Sequence, residues 1–138
     1  MKQASIDRIP KNWPLRELSC SISAGQMEWH VQMAGSRHAL EGAAKPIALL
    51  LHGTGSSAHS WAELLPVLAK THWVIAPDLP GHGFTISHQS EQLSLTLITH
   101  KLAELLRALG VEQIDSIVGH SAGATLGLQY SLLYPAPK

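Results

Sequence analysis

Ile117-Val118-Gly119-His120-Ser121-Ala122-Gly123-Ala124 reads as a short apolar strand running directly into a helix, with a serine at the corner. The Gly-x-Ser-x-Gly spelling has a steric cause. At such a corner the serine is forced into a strained backbone conformation that lifts its hydroxyl above the sheet, and side chains two residues to either side would collide. Gly119 and Gly123 remove those collisions. The pattern alone recurs by chance, so its context carries the weight. Ile114 to Val118 predicts a strand, and Ala124, Leu126, Leu128, Leu132 and Leu133 predict a mostly apolar helix that ends before Pro135. The competing reading of Ser121 is a helix N-cap, common wherever a strand leads into a helix. The flanking glycines favour the elbow.

The chain is 138 residues long, enough for one domain or part of a larger one, and enough to bury a core. Ten lysines and arginines balance ten aspartates and glutamates, so no electrostatic footprint for nucleic acid or an anionic membrane is present. A small-molecule or protein partner is expected. The longest unbroken apolar run, Pro46 to Leu51, falls far short of the ~20 residues that span a bilayer, which predicts no transmembrane helix. Met1 to Arg16 carries Lys2, Arg8, Lys11 and Arg16 without an apolar core or a small-residue cleavage site, against a signal peptide. Cys20 is the single cysteine, which precludes an internal disulfide and fits a cytoplasmic location.

Along the chain there is no repeat, low-complexity segment or charge block. Residues 1–14 read as a flexible polar lead-in broken by Pro10 and Pro14, and residues 15–138 as the domain. A hairpin follows, with arms Arg16 to Ser23 and Gln26 to Met33 about an Ala24-Gly25 turn. In its second arm Met27, Trp29, Val31 and Met33 alternate with Glu28, His30 and Gln32, so one face is expected to be buried. Residues 35–45 predict a linker. Ile47 to Leu51 is apolar throughout and predicts a central strand covered on both faces. Next come the loop His52-Gly53-Thr54-Gly55-Ser56-Ser57, a short helix around Trp61 to Leu68, and a strand from Trp73 to Ala76 ending in Pro77-Asp78-Leu79-Pro80-Gly81-His82-Gly83-Phe84. From the N-cap Ser94 to the stop at Gly110, Leu95, Ile98, Leu102, Leu105, Leu106 and Leu109 fall at helical spacing. Strand and helix therefore alternate three times, which predicts an α/β fold with a parallel sheet led in by an antiparallel hairpin.

Three motifs stand in register: His52-Gly53 after the central strand, Asp78-Leu79-Pro80-Gly81-His82-Gly83 after the next, and Gly119-His120-Ser121-Ala122-Gly123 after the third. Together they resemble the α/β-hydrolase superfamily over about residues 15 to 135, and far more specifically than any one motif. The wording of Leu50 to Ser57, Ala76 to Thr85 and Val118 to Ala124 is most similar to a bacteriochlorophyll-biosynthesis subgroup described as magnesium-chelatase accessory proteins. The resemblance implies an α/β-hydrolase fold, here its N-terminal half, with Ser121 as nucleophile and no cofactor. The elbow sets the backbone N–H of Ala122 at a helix N-terminus facing the oxyanion, and the resemblance makes the N–H of Thr54 the second donor. Two such donors contribute roughly 3 kcal/mol each to the transition state.

Other readings of the same residues compete. Gly53-x-Gly55-x-x-Ala58 after a strand, with Asp78 ending the next one, also fits a dinucleotide-binding fingerprint. The preceding hairpin weighs against it, and it leaves the serine corner and the Pro80-Gly81-His82-Gly83 turn unexplained. Nine histidines raise the question of a metal, yet none has His-x-His or His-Glu-x-x-His spacing, so no metal site is expected. His52, His82 and His120 read as loop-shaping motif residues. His30, His38, His59, His72, His88 and His100 read as surface or loop residues. Asp78 reads as a strand-end turn former, and in the resembled family this position orders a loop.

A serine hydrolase of this fold needs an acid and then a histidine after the serine. Ala124 to Lys138 contains neither aspartate, glutamate nor histidine, so the triad is incomplete. A truncated domain, inactive by itself, is expected over a genuine short protein, because the apolar strand before Ser121 is internal in the resembled fold and would otherwise be an exposed edge. The resemblance implies a role beside magnesium insertion into a porphyrin, with a tetrapyrrole or ester as substrate and chelatase subunits as partners. The alternatives are a non-catalytic tetrapyrrole- or chelatase-binding accessory protein on the same scaffold, and a generic esterase.

Overall fold

Ile47–Leu51 is buried at every position because it has cores on both sides. This strand, β3, sits in a six-stranded sheet between β4 (Trp73–Pro77) and β6 (Ser116–Gly119), parallel to both. Period-two alternation divides its side chains between the two layers. Ile47, Leu49 and Leu51, with Ile75 of β4, join one core; Leu50, with Val74 and Ala76, joins the other. Each of the buried leucines contributes about 1.5–3 kcal/mol. The computed structural model describes residues 6–35, 44–88 and 92–135.

The first core is covered by α2 (Leu95–Ala108) and α3 (Ala122–Leu133), through Leu102, Leu105, Leu106, Leu126 and Tyr130. The second is covered by a 3-10 turn (Ala58–Trp61) and the short α1 (Leu64–Leu68). The signals expected at the ends of α2 are in place: Ser94 Oγ accepts from Leu97 N at 3.1 Å, and Gly110 follows with φ 76°. Leu95, counted with its apolar stripe, is exposed at the first turn. Among the described residues no helix is long and apolar enough to cross a membrane.

The sheet order is β1-β2-β4-β3-β6, with β1 (Ser19–Ala24) and β2 (Met27–Ala34) forming the antiparallel hairpin and β2 running antiparallel to β4. Several boundaries move relative to expectation, three of them in the hairpin and the last strand. The hairpin turns at Gly25-Gln26, its first arm opens with a 3-10 turn at Arg16–Leu18, and β6 begins at Ser116 rather than Ile114. A two-residue strand, β5 (Ile86–Ser87), pairs with β2 and carries no periodic signal of its own. The linker expected over residues 35–45 lies largely outside the described residues, as do residues 1–5 of the lead-in and His38.

One expectation is overturned. β2 is buried on both faces, with Glu28, His30 and Gln32 as enclosed as Met27, Trp29 and Val31. The reason is its place between β1 and β4, under the segment that precedes β1 and the loop that follows β4. Gln32 Nε2 donates to the carbonyls of Pro14 (2.8 Å) and Leu15 (3.2 Å), and Ser21 Oγ to Glu28 (3.2 Å), so the polar side chains are buried with partners. The same segment packs Trp13 edge-on against Phe84 and His59, and Arg8 donates to the Phe84 carbonyl.

Candidate active site

β3 and β6 run parallel in register, Leu51 opposite Gly119, so the loops leaving their C-terminal ends emerge side by side. His52-Gly53-Thr54 leaves one strand and His120-Ser121-Ala122 the other. Every residue singled out from the three motifs at these two strand ends is thereby brought together.

Ser121 has φ 55° and ψ −118°, a conformation that costs a side-chain-bearing residue about 1–3 kcal/mol. It stands at the N-cap position of α3, yet its side chain makes no capping hydrogen bond. The N-cap reading therefore fails, and the hydroxyl is exposed. Packing holds the corner in place. A β-carbon on Gly119 would lie 2.6 Å from both Cα and N of Ala124, and one on Gly123 would lie 2.6 Å from the His52 carbonyl and closer still to that of Leu51. One on Gly53 would lie 2.9 Å from His120 Nδ1 and 3.3 Å from Ser121 Cβ, so this loop presses directly against the corner.

Among the described residues no acceptor meets the N–H of Ala122 or that of Thr54. The first opens α3, where unpaired N–H groups and the helix dipole favour an anion. The second lies on the exposed tip of the adjacent loop. His120 donates its backbone N–H to Leu51 O (3.0 Å) and accepts from Gly123 N (2.9 Å), while its ring lies over Gly53. Ser121 Oγ has no hydrogen-bond partner among the described residues, and no histidine is paired with it. A cavity of about 500 Å³ lies elsewhere, lined by Arg107, Ile117, Tyr130 and Tyr134, and does not reach Ser121.

His52 is fully buried beneath this loop. Its Nδ1 meets Gly53 O at 2.7 Å, its Nε2 accepts from Leu79 N at 2.9 Å, and its ring meets His82 edge-on. Desolvation lowers its pKa below the ordinary 6.5, against the raising effects of the Gly53 bond and Asp78; His82 and His59 lower it further.

Asp78 is a buried organiser. One carboxylate oxygen accepts from Ala58 N (2.7 Å), and the other from Phe84 N (2.8 Å) and His30 Nδ1 (2.7 Å). Burial alone would raise its pKa; the bond and charge of His30 and the two N–H groups outweigh burial and hold it below the ordinary 3.8. Loop ordering fits this geometry, and ribose binding does not, because no face of the carboxylate is open. The helix after Gly53-x-Gly55 is also too short and too late to seat a pyrophosphate, so the dinucleotide fingerprint is set aside.

His30 corrects a second expectation. It is not a surface residue: at 3% exposure it donates to Asp78 while Nε2 meets Ser19 Oγ at 2.7 Å. Sequence reasoning missed this pair, although serines opposing Glu28, His30 and Gln32 across the hairpin are a signal that the polar face has internal partners. Among the described residues no three His, Cys, Asp or Glu side chains are grouped to hold a metal. Cys20 is buried, and desolvation raises its thiol to about 11, which leaves it unreactive.

Comparison with known proteins gives a consistent result. The sequence model of a family described as alpha/beta hydrolase fold matches residues 46–137. The magnesium-chelatase 30 kDa subunit of Rhodobacter capsulatus is 36% identical over 130 residues, which is 94% of this chain and 43% of that protein. An uncharacterized hydrolase of Saccharomyces cerevisiae, YNR064C, is 33% identical over 68% of this chain and 32% of its own length. The crystal structure of the Vigna radiata epoxide hydrolase VrEH1 superposes with a TM-score of 0.73 at 26% identity, covering 85% of this chain and 36% of that one. The chain thus spans less than half the length of each of these three.

Proposed function

The chain belongs to the alpha/beta hydrolase fold family, and we propose that it carries the nucleophilic half of a serine hydrolase acting by acyl transfer to Ser121. The observation that carries the reading is the corner itself: a strained Ser121 with a free hydroxyl, held between two glycines that have no room for a side chain. Strain of this kind is retained where surrounding packing over-determines it, which happens at functional sites.

In this reading a general base takes the proton of Ser121 Oγ, and the oxygen attacks the substrate's carbonyl carbon. The developing oxyanion accepts from the N–H groups of Ala122 and Thr54, a role supported by the lack of an acceptor for either among the described residues. Collapse of the tetrahedral intermediate breaks the bond to the leaving group and forms an acyl-serine, which water then hydrolyses. Ala124 to Lys138 holds no acid or histidine, so this reading takes the base and its orienting acid, in the order Ser, acid, His, from the part of the fold that this chain does not span. Similarity to the R. capsulatus magnesium-chelatase 30 kDa subunit supports chelatase subunits as partners; a tetrapyrrole or an ester as substrate and a place in the cytoplasm complete the proposal.

A second reading has its own support. The buried histidine–carboxylate pair, His30–Asp78, is turned to Ser19 rather than Ser121. That favours a non-catalytic scaffold that holds a tetrapyrrole or a chelatase subunit. Ester turnover separates the two. On the hydrolase reading a full-length protein turns over a p-nitrophenyl ester and Ser121→Ala removes that turnover while the melting transition is kept; turnover that survives the substitution removes Ser121 as nucleophile, and a full-length protein with no turnover leaves the scaffold reading.

A further inference from the structure

A peptide unit is planar, so whatever fixes one residue's carbonyl also aims the next residue's N–H. Gly53 O and the N–H of Thr54 belong to one trans unit. That carbonyl accepts twice, from His52 Nδ1 at 2.7 Å and from Ser56 N at 3.1 Å. The Thr54 N–H consequently lies in the same plane and points antiparallel to that carbonyl, away from both bonds.

The state of the His52 ring follows from its partners. Leu79 offers His52 Nε2 a backbone N–H, which can only donate, so Nε2 must present a lone pair. The ring proton then sits on Nδ1, where it donates to Gly53 O. An imidazolium, or the tautomer protonated at Nε2, would set a proton against the Leu79 N–H. Full burial of the ring also favours its neutral form. Leu79, in turn, follows Asp78, whose carboxylate ties this loop to Ala58 N and Phe84 N. The chain of contacts runs from Asp78, through the Leu79 N–H and the His52 ring, to the Gly53–Thr54 peptide beside Ser121.

We propose that His52 is a positioning residue: its neutral Nδ1–H tautomer, selected by the Leu79 N–H, clamps the Gly53 carbonyl and so orients the Thr54 N–H as an oxyanion donor. The catalytic part of this statement rests on the reading of Thr54 given above; the clamp itself rests on the hydrogen bonds. It makes His52 more than a filler between two loops, and the difference is measurable because His52 has two separate bonds to lose.

Asparagine places its amide nitrogen near the position of Nδ1, and glutamine places its amide near that of Nε2. His52→Asn therefore keeps a donor for Gly53 O and loses the Leu79 contact, whereas His52→Gln does the reverse. Three readouts decide the matter, two on the chain and one on a full-length protein. Long-range 15N–1H spectra of the unsubstituted protein at pH 7 should show His52 protonated at Nδ1 alone; this needs no variant to fold. The Thr54 amide order parameter should be about 0.85, fall below about 0.6 in His52→Gln, and return in His52→Asn. In a full-length protein that supplies the base, phosphonylation of Ser121 by a p-nitrophenyl phosphonate should slow about tenfold in His52→Gln and recover to within about threefold in His52→Asn. A ring protonated at Nε2, or equal Thr54 order in the two variants, would overturn the clamp. Absence of any adduct on Ser121 in the unsubstituted full-length protein would instead sink the hydrolase reading, and the tautomer and order parameter would still judge the clamp alone.

Discussion

Ser121 is a polar residue in a backbone conformation that favours glycine, and the consequences can be measured without any substrate. Ser121→Gly relieves the strain of φ 55°, whereas Ser121→Ala keeps a β-carbon there. The glycine variant is expected to be more stable than the alanine variant by about 1 kcal/mol, read as a higher urea midpoint at unchanged slope. Equal midpoints would mean that the corner stores no strain. Gly123→Ala tests the opposite side of the corner. Its β-carbon would meet the Leu51 and His52 carbonyls, backbone atoms fixed by the β3 ladder, so the loss should be at least about 2 kcal/mol. A loss below about 0.5 kcal/mol would show that β3 and α3 can separate. Gly119 could be read from the sequence because its β-carbon would collide with the start of the helix that follows it, and Gly123 through its place in the Gly-x-Ser-x-Gly spelling, although the atoms that crowd it belong to Leu51 and His52. The constraint on Gly53 could not, since the atoms that crowd it come from His120 and Ser121, far along the chain.

At the scale of elements the question is why β2 hides a polar face. Its side chains are part of the lock between the hairpin and the loop after β4: His30 Nδ1 to Asp78, His30 N to Thr85 Oγ1 (3.0 Å), and Thr85 Oγ1 to Asp78 O (2.7 Å). Apolar alternation made the hairpin and the central strand legible, because those signals are carried by neighbours in sequence. It misjudged β2 because the cover over its polar face comes from residues 14–15 and 78–85, and no local pattern records such contacts. The lock should respond to acid in two steps. His52 is held below its ordinary 6.5, so the folded chain binds fewer protons than the unfolded one beneath that pH; its stabilisation is complete above 6.5 and lost as pH falls through the folded value. Asp78 is held below its ordinary 3.8, so its contribution is complete above 3.8 and lost as pH falls further. Urea midpoints measured from pH 8 to pH 3 should therefore drop first below about 6.5 and again below about 4. His52→Asn should flatten the first drop and Asp78→Asn the second; drops of undiminished size in those variants would assign them to other groups.

At the scale of the molecule, the described residues leave the β6 edge of the sheet unpaired. β6 pairs with β3 alone among the described strands, and Val118 is 36% exposed at that edge. On α3, Leu128 is 69% exposed, Leu132 76% and Leu133 43%, so the helix that starts at Ser121 is apolar toward solvent as well as toward the core. An unpaired strand edge beside an exposed apolar helix face is a template for another chain. Charge offers little opposition, since ten basic residues balance ten acidic ones and the pI is about 7.1. The 138-residue chain is therefore expected to self-associate at about 10 μM, with sedimentation velocity showing dimers or larger species. Paired substitutions Leu128→Glu and Leu132→Glu place like charges on the uncovered face and should shift the distribution to monomer without lowering the urea midpoint by more than about 1 kcal/mol, because neither side chain is part of a core. A monomeric unsubstituted chain at that concentration would mean that this face is no liability as it stands. If the charged pair unfolded the chain instead, Leu128 and Leu132 would have to contribute to stability from the surface, against the packing observed here.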